Sequence, residues 1–300
     1  MILENTSTQQ QKQSVISHKT TIAFSSKDNI PLKMDVYSNH QDLTVKEPCV
    51  LFLFGGGFME GQRDSETYAA YFIHLVSHHY KVVAIDYRLG LKGVKTLGPL
   101  HTQPLKNAID AAIADLYDAT AYLIEHSMNL GIDTTKIIIS GTSAGAITVL
   151  QADWEKRNQA ELTRSLPKTF QYAGVISFSG AILSYKGGPV YPIPPAPTMM
   201  FHGTEDKLVT FDKRRFFNKG FFGSNYLAQQ FRKNKYPYYF QKVQGMGHEV
   251  AVLPMTENLD DITWFLDNYV FKKKQYLMDV NFQDLQQKRT MNLTPEDVYH

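Results

Sequence analysis

Six short stretches of this chain are apolar almost without interruption: Cys49-Val50-Leu51-Phe52-Leu53-Phe54, Val82-Val83-Ala84-Ile85, Lys136-Ile137-Ile138-Ile139, Val175-Ile176-Ser177-Phe178, Thr198-Met199-Met200-Phe201 and Tyr238-Tyr239-Phe240-Gln241-Lys242-Val243. A strand with one wet face alternates apolar and polar residues. Runs that do not alternate belong to strands covered on both faces, as parallel strands are. Between them lie segments with apolar residues at helical spacing, at 66–77, 105–125, 144–154 and 262–270. Strand then helix, repeated, predicts an α/β chain with a mostly parallel central sheet and helices on both faces. Thr21 to Phe24 and Leu32 to Tyr37, split by the turn-prone Lys27-Asp28-Asn29, read as an antiparallel hairpin at its edge.

The 300 residues show no internal repeat and no dividing linker, so one domain is expected over 20–271. A Gln/Ser/Thr-rich flexible tail, 1–19, precedes it. A charged extension, 272–300, follows and is expected to pack as a final helix or to meet a second subunit. The oligomeric state is left open. Two segments interrupt the alternation: 89–104, and 184–197 with its five prolines. Both are expected as loops beside a site.

Thirty-one Lys and Arg against 29 Asp and Glu leave a net charge of +2, which gives no electrostatic reason to expect a nucleic-acid partner. The single cysteine, Cys49, excludes an intrachain disulfide and argues against a cysteine-built zinc site. No run approaches the ~20 apolar residues of a membrane span. Residues 1–15 carry neither a basic start nor an apolar core of leader type. A cytoplasmic chain is one expectation; a periplasmic or secreted chain whose leader was removed is the other.

Gly141-Thr142-Ser143-Ala144-Gly145 sits directly after the third buried strand and before a helical pattern. A serine hydroxyl is a poor nucleophile in water. It becomes useful when a sharp strand-to-helix turn projects it beside a base, and the crowding of that turn demands glycines. Phe54-Gly55-Gly56-Gly57-Phe58 ends the first buried strand. Glycines there let backbone N–H groups approach an oxygen that turns negative during acyl transfer. No Gly-Lys-Ser/Thr follows, so a phosphate-cradling loop is not indicated. Late in the chain, two strand ends run into His202-Gly203-Thr204-Glu205-Asp206 and Gln244-Gly245-Met246-Gly247-His248-Glu249. The order serine, acid, histidine suits a triad in which the acid fixes the tautomer of the base.

On these motifs the sequence resembles the α/β-hydrolase serine esterases over nearly all of residues 20–269, and within them the carboxylesterases and acetylesterases of bacteria that degrade polysaccharides. The resemblance implies Ser143 as nucleophile, His248 as base and Asp206 as the acid that orients it. It implies Gly56, Gly57 and Ala144 as the oxyanion hole, and a reaction that needs no metal or cofactor. It also implies a carboxylic ester as substrate, either a small molecule or an acetyl or feruloyl ester on carbohydrate, with short-chain lipid esters as the second choice. One departure stands out: Phe54 precedes the glycines where the esterases related to hormone-sensitive lipase carry histidine, so the hydrogen bonds by which such a histidine would hold the loop must be replaced or absent.

Glu205 is the rival acid, and His202 is expected in a structural role. His74 and His78 could pair on a helix face, but no acid at a metal-site spacing accompanies them. His248-Glu249 lacks the later histidine of a zinc-protease motif, since Val252 stands there. Asp86 reads as a structural acid. Phe216, Phe217, Phe221, Phe222 and Tyr226 are expected either to line a pocket or simply to pack. Residues 89–104, 184–197 and 207–226 are the expected substrate determinants. Two rival functions share the motifs: a peptidase of the prolyl-oligopeptidase type, and an inactive hydrolase fold used as a binding module.

Overall fold

A computed structural model describes residues 16, 18–40, 43–94 and 102–299. Most of the expected tail (1–15 and 17) and part of one expected loop (95–101) lie outside the described residues. His18 and Lys19, assigned to the tail from sequence, already belong to the first strand.

Nine strands form one sheet, with the strands in the order β1 (His18–Lys27), β2 (Ile30–Ser38), β4 (Lys81–Ile85), β3 (Glu47–Leu53), β5 (Ile132–Thr142), β6 (Gly174–Phe178), β8 (Thr198–Gly203), β11 (Tyr238–Val243) and β12 (Leu277–Phe282). β1 and β2 are the antiparallel edge hairpin, and β2 also runs antiparallel to β4. Every pairing from β4 onward is parallel. β7 (Ala181–Ser184), β9 (Lys213–Phe216) and β10 (Lys219–Gly223) form a second, small antiparallel sheet. This is the α/β-hydrolase arrangement.

The non-alternating runs are buried as their composition requires: all seven residues of β3 except Pro48, and all five of β4, are shielded from water. The five longest α-helices among the described residues are α1 (Ala69–Ser77), α2 (Gln103–Glu125), α3 (Ala144–Arg157), α4 (Ser224–Asn234) and α5 (Leu259–Phe265), the last continuing as a π-helical turn over Leu266–Phe271. α1 packs with α5, and α2 with α3. In α2 the buried residues Ala108, Ile109, Ala112, Ile113 and Leu116 recur every three to four positions, which puts them on one face. No helix among the described residues is long and apolar enough to cross a membrane.

The segment 272–300, expected as a final helix or a subunit contact, contains a strand and, at its end, a one-turn helix, Pro295–Val298. Its residues Leu277–Phe282 join the main sheet parallel to β11, from Tyr238↔Leu277 to Val243↔Phe282. Half the strand positions bear polar or exposed side chains, so no apolar run announced it.

Phe52 sits at the centre of this packing, fully buried, with its ring 4.8 Å from that of Tyr68 and 5.1 Å from that of Phe72. Phe52→Ala removes those contacts and leaves a cavity, so unfolding free energy should fall by about 3–5 kcal/mol. Urea titration of both proteins measures this, and a loss below about 1 kcal/mol would show that the core collapses into the gap.

Candidate active site

The C-terminal ends of β3, β5, β8 and β11 point the same way because the strands are parallel, and each delivers one part of the site. At the end of β5 the chain turns directly into α3, with Ser143 at φ 51°, ψ −115°. That strained conformation projects the hydroxyl away from strand and helix alike. Gly145 is required at the turn: a side chain there would begin 2.2 Å from the Leu53 carbonyl oxygen.

Ser143 Oγ lies 2.8 Å from His248 Nε2, and His248 Nδ1 lies 2.8 Å from Asp206 Oδ2. Asp206 is only 6% exposed. Burial pushes its carboxyl upward. Hydrogen bonds from the His202 and His248 rings outweigh that and hold it well below the usual carboxylate range. An ionised carboxylate can only accept, so His248 Nδ1 carries the ring proton and Nε2 is free to accept from Ser143. The second carboxylate oxygen, Oδ1, accepts the N–H groups of Leu208 and Val209 at 3.0 Å each. His202 donates from Nε2 to the Val209 carbonyl at 3.0 Å, and the same nitrogen lies 3.4 Å from Asp206 Oδ2. Its place is therefore behind the acid, away from Ser143.

Glu205, the alternative acid, faces Arg289 instead, at 3.7 Å. Asp86 accepts from Arg63 at 2.8 Å and from the Lys33 N–H at 3.2 Å, a purely architectural use. The rings of His74, on α1, and His78, just past its end, lie 4.3 Å apart and tilted at 37°. No cluster of three or more His, Cys, Asp or Glu placed to hold a metal ion occurs among the described residues.

The loop after β3 runs beside the serine: a side chain on Gly55 would begin 3.3 Å from Ser143 Cβ. Gly56 adopts φ +111°, and its carbonyl accepts from Met59 and Glu60, which folds the loop back on itself. The N–H groups of Gly56 and Gly57 have no acceptor among the described residues, and that of Ala144, the first residue of α3, has no intrahelical partner. All three residues line one cleft with Ser143 and His248. Tyrosines do the work that a histidine in place of Phe54 would do. Tyr87 Oη donates to the Phe54 carbonyl at 2.9 Å while its ring stacks on Phe54 at 4.4 Å, and Tyr68 Oη accepts the Gly55 N–H at 3.4 Å.

The cleft holds about 940 Å³ and is mostly apolar, with Met59, Leu105, Ile147, Leu183 and Phe221 on its walls. The expected substrate loops contribute unequally. Of 89–104, the described Thr102 reaches the cleft; of 207–226, the β9–β10 hairpin supplies a wall. The proline-rich segment 184–197 supplies none of the lining. Its Val190 carbonyl accepts from Trp154 Nε1 of α3 at 2.9 Å, and its Tyr185 hydroxyl bonds that of Thr102, which does line the cleft, at 2.6 Å. The aromatic group divides as well: Phe216 and Phe221 line the cleft, Phe222 is buried against Tyr226, and Phe217 is 80% exposed.

Sequence reasoning missed one wall. Met291, Leu293, Pro295, Val298 and Tyr299 form a strap across the cleft, ending in a one-turn helix, Pro295–Val298. The Tyr299 hydroxyl lies 3.2 Å from where a side chain on Gly57 would begin, and burial pushes its pKa up to about 12. Buried Glu249 fastens the strap to the histidine loop, with Oε1 accepting the Gly247 N–H at 2.9 Å and Oε2 that of Met291 at 3.1 Å. The signal available in the sequence was Thr294-Pro295-Glu296-Asp297, a reciprocal helix cap whose Thr294 and Asp297 bond as such caps do.

Residues 34–183, half of the chain, match the model of the family described as BD-FAE. The chain is similar to Lipase 2 of Moraxella sp. (strain TA144), 31% identical over 41% of this chain. It is also similar to Esterase LipI of Mycobacterium tuberculosis (strain ATCC 25618 / H37Rv), 36% identical over 33% of this chain. These matches span 27% of the first relative's length and 26% of the second's, about a quarter of each. Esterase 2 of Thermogutta terrifontis superposes with a TM-score of 0.64 at 21% identity, over 84% of this chain and 95% of that one; its propionate-bound structure gives 0.63 at 19%. That likeness is one of fold.

Two measurements probe the geometry. The depressed Asp206 carboxyl stabilises the fold fully above its unfolded-state pKa of about 3.9, and this contribution is lost as pH falls through the lower folded value. Thermal melts should therefore show stability dropping from about pH 4 toward pH 2, and a shallower drop for Asp206→Asn; equal slopes would contradict the depression. Glu249→Gln replaces one acceptor by a donor, so tryptic cleavage after Lys288 or Arg289 should speed up, as mass spectrometry would read. An unchanged rate would show that the strap is held by other contacts.

Proposed function

The chain belongs to the BD-FAE family, and on that footing we propose that it is a serine hydrolase that cleaves carboxylic esters through an acyl-enzyme. The observation that carries this reading is the unbroken chain of hydrogen bonds from Ser143 Oγ through His248 to Asp206, both links at 2.8 Å. Ser143 attacks the ester carbonyl carbon as its proton passes to His248 Nε2. The carbonyl oxygen takes up negative charge facing the N–H groups of Gly56, Gly57 and Ala144. Collapse of the tetrahedral intermediate breaks the bond to the alcohol oxygen, which leaves with the proton from Nε2. Water then repeats the sequence, giving its proton to His248 and releasing the acid. Asp206 stays ionised throughout and balances the imidazolium.

The substrates we assign are acetyl or feruloyl esters on carbohydrate. A cleft of about 940 Å³ has far more room than an acetyl group needs, and its apolar walls suit an aryl or sugar-ring face. A short acyl group also accords with the likeness to a fold whose solved structures include one with propionate bound.

Ser143→Ala should lower turnover of p-nitrophenyl acetate by about a millionfold, to the residual level set by the rest of the site. It should also abolish covalent labelling by a fluorophosphonate probe. Retained turnover would refute the assignment of the nucleophile. For the substrate, kcat/KM on acetylated xylan and methyl ferulate should exceed that on long-chain acyl p-nitrophenyl esters, and the reverse order would favour lipid esters.

A further inference from the structure

The β9–β10 hairpin, Lys213 to Gly223, carries Lys213, Arg214, Arg215 and Lys219 and no acidic residue. The chain as a whole has a net charge of only +2, so this is a local concentration. Arg63, Arg88, Arg157, Arg164, Arg232 and Arg289 each pair with an Asp or Glu. Arg214 and Arg215 are the other two arginines of the chain, and neither has a carboxylate partner among the described residues. Both line the cleft that holds Ser143, as do Phe216 and Lys219. Glu60 and Glu296 also border that cleft.

The two guanidinium groups are held in place from behind. Arg214 Nη2 donates to the Lys207 carbonyl at 3.2 Å, and Arg215 Nε to that of Phe217. Each has further N–H donors left over, in the planar fork that matches an oxyanion. The flanking lysines rest on aromatic faces, Lys213 over Tyr226 at 5.3 Å and Lys219 over Tyr185 at 5.0 Å. The hairpin itself is anchored, with β10 paired to β7 and the Gly187 N–H donating to the Asn218 carbonyl at 2.7 Å.

We infer that this hairpin recognises an oxyanion, a carboxylate or a sulfate, on the alcohol part of the ester, so that the preferred substrates are esters of acidic rather than neutral sugars. This rests on the esterase reading above. With its ester at Ser143, such a substrate lays its ring on the apolar wall and presents its negative group to Arg214 and Arg215. The cations are exposed, so water and salt screen the attraction and the selectivity it gives is moderate. Phe217 projects from the same tip, which raises an anionic lipid surface as the competing ligand. Both arginines border the cleft that holds Ser143, which favours the substrate.

The test compares para-acetoxybenzoate and para-acetoxybenzenesulfonate with uncharged phenyl acetate, using the full chain, Arg214→Gln/Arg215→Gln and a control that also loses two positive charges away from the cleft, Lys168→Gln/Lys233→Gln. The quantity read is kcat/KM for each anionic ester over that for phenyl acetate. It should fall about tenfold in the double variant and stay within about twofold in the control. A fall for only one of the two anions identifies the group as carboxylate or as sulfate. An unchanged ratio in the double variant, with all three esters still turned over, would overturn the inference and leave the esterase reading standing. A fall that appears only when phosphatidylglycerol vesicles are added would overturn it in favour of lipid docking. If the wild-type chain hydrolyses none of the three, the esterase reading fails and this inference with it.

Discussion

A buried negative charge organises the centre of this molecule. Asp206 is almost wholly withdrawn from water, and an ionised carboxylate in that setting survives only if its lone pairs are taken up. They are: two backbone N–H groups serve one oxygen, and the His202 and His248 rings approach the other. Because the carboxylate can only accept, it decides which nitrogen of His248 bears the proton, and so which one faces Ser143. How the imidazole meets Ser143 thus depends on how well a charge is satisfied on its far side.

Holding these groups in register is the work of the sheet. Parallel strands end at one edge, so the glycine loop, the serine, the acid and the histidine arrive side by side although up to 193 residues separate them along the chain, from Gly55 to His248. Cross-ties then fix the loops. Thr142 Oγ1 donates to the Ala251 carbonyl at 2.5 Å, binding the serine turn to the histidine turn. Tyr68 and Tyr87 hold the glycine loop, and Glu249 holds the strap. Backbone donors fixed in this way need no reorganisation as charge develops on an oxygen between them.

The cleft has walls of two kinds, added to the fold at different places. One side is the strap, apolar and fastened through the histidine loop. Another is the β9–β10 hairpin, cationic and anchored through β7. Neither belongs to the nine-stranded sheet, and both come from chain that follows the serine turn. The shared frame positions the reacting groups, while these additions set what can lie against them.

The apolar runs alone were enough to establish the parallel sheet, because burial on both faces leaves no room for alternation, and each of the six became a strand. Motif order likewise placed Ser143, Asp206 and His248, since crowding at the turn dictates glycine wherever such a serine is mounted. What escaped was whatever depends on a partner distant in sequence. β12 interleaves apolar residues with Asp279 and Asn281 and buries none of its positions fully, and its pairing with β11 makes it a strand. The cationic β9 is exposed throughout and takes its conformation from β10. The proline-rich segment looked like a site loop, yet none of its residues lines the cleft; Val190 bonds Trp154 of α3, and Tyr185 bonds the cleft residue Thr102. Tyr299 carries no local sign that it would lie against Gly57. A sequence states which residues must be hidden from water and which backbone turns are permitted, because those are properties of the residues themselves. Which surface covers which is fixed only when the chain has closed, because contact energy belongs to pairs and the pairs are made by the fold.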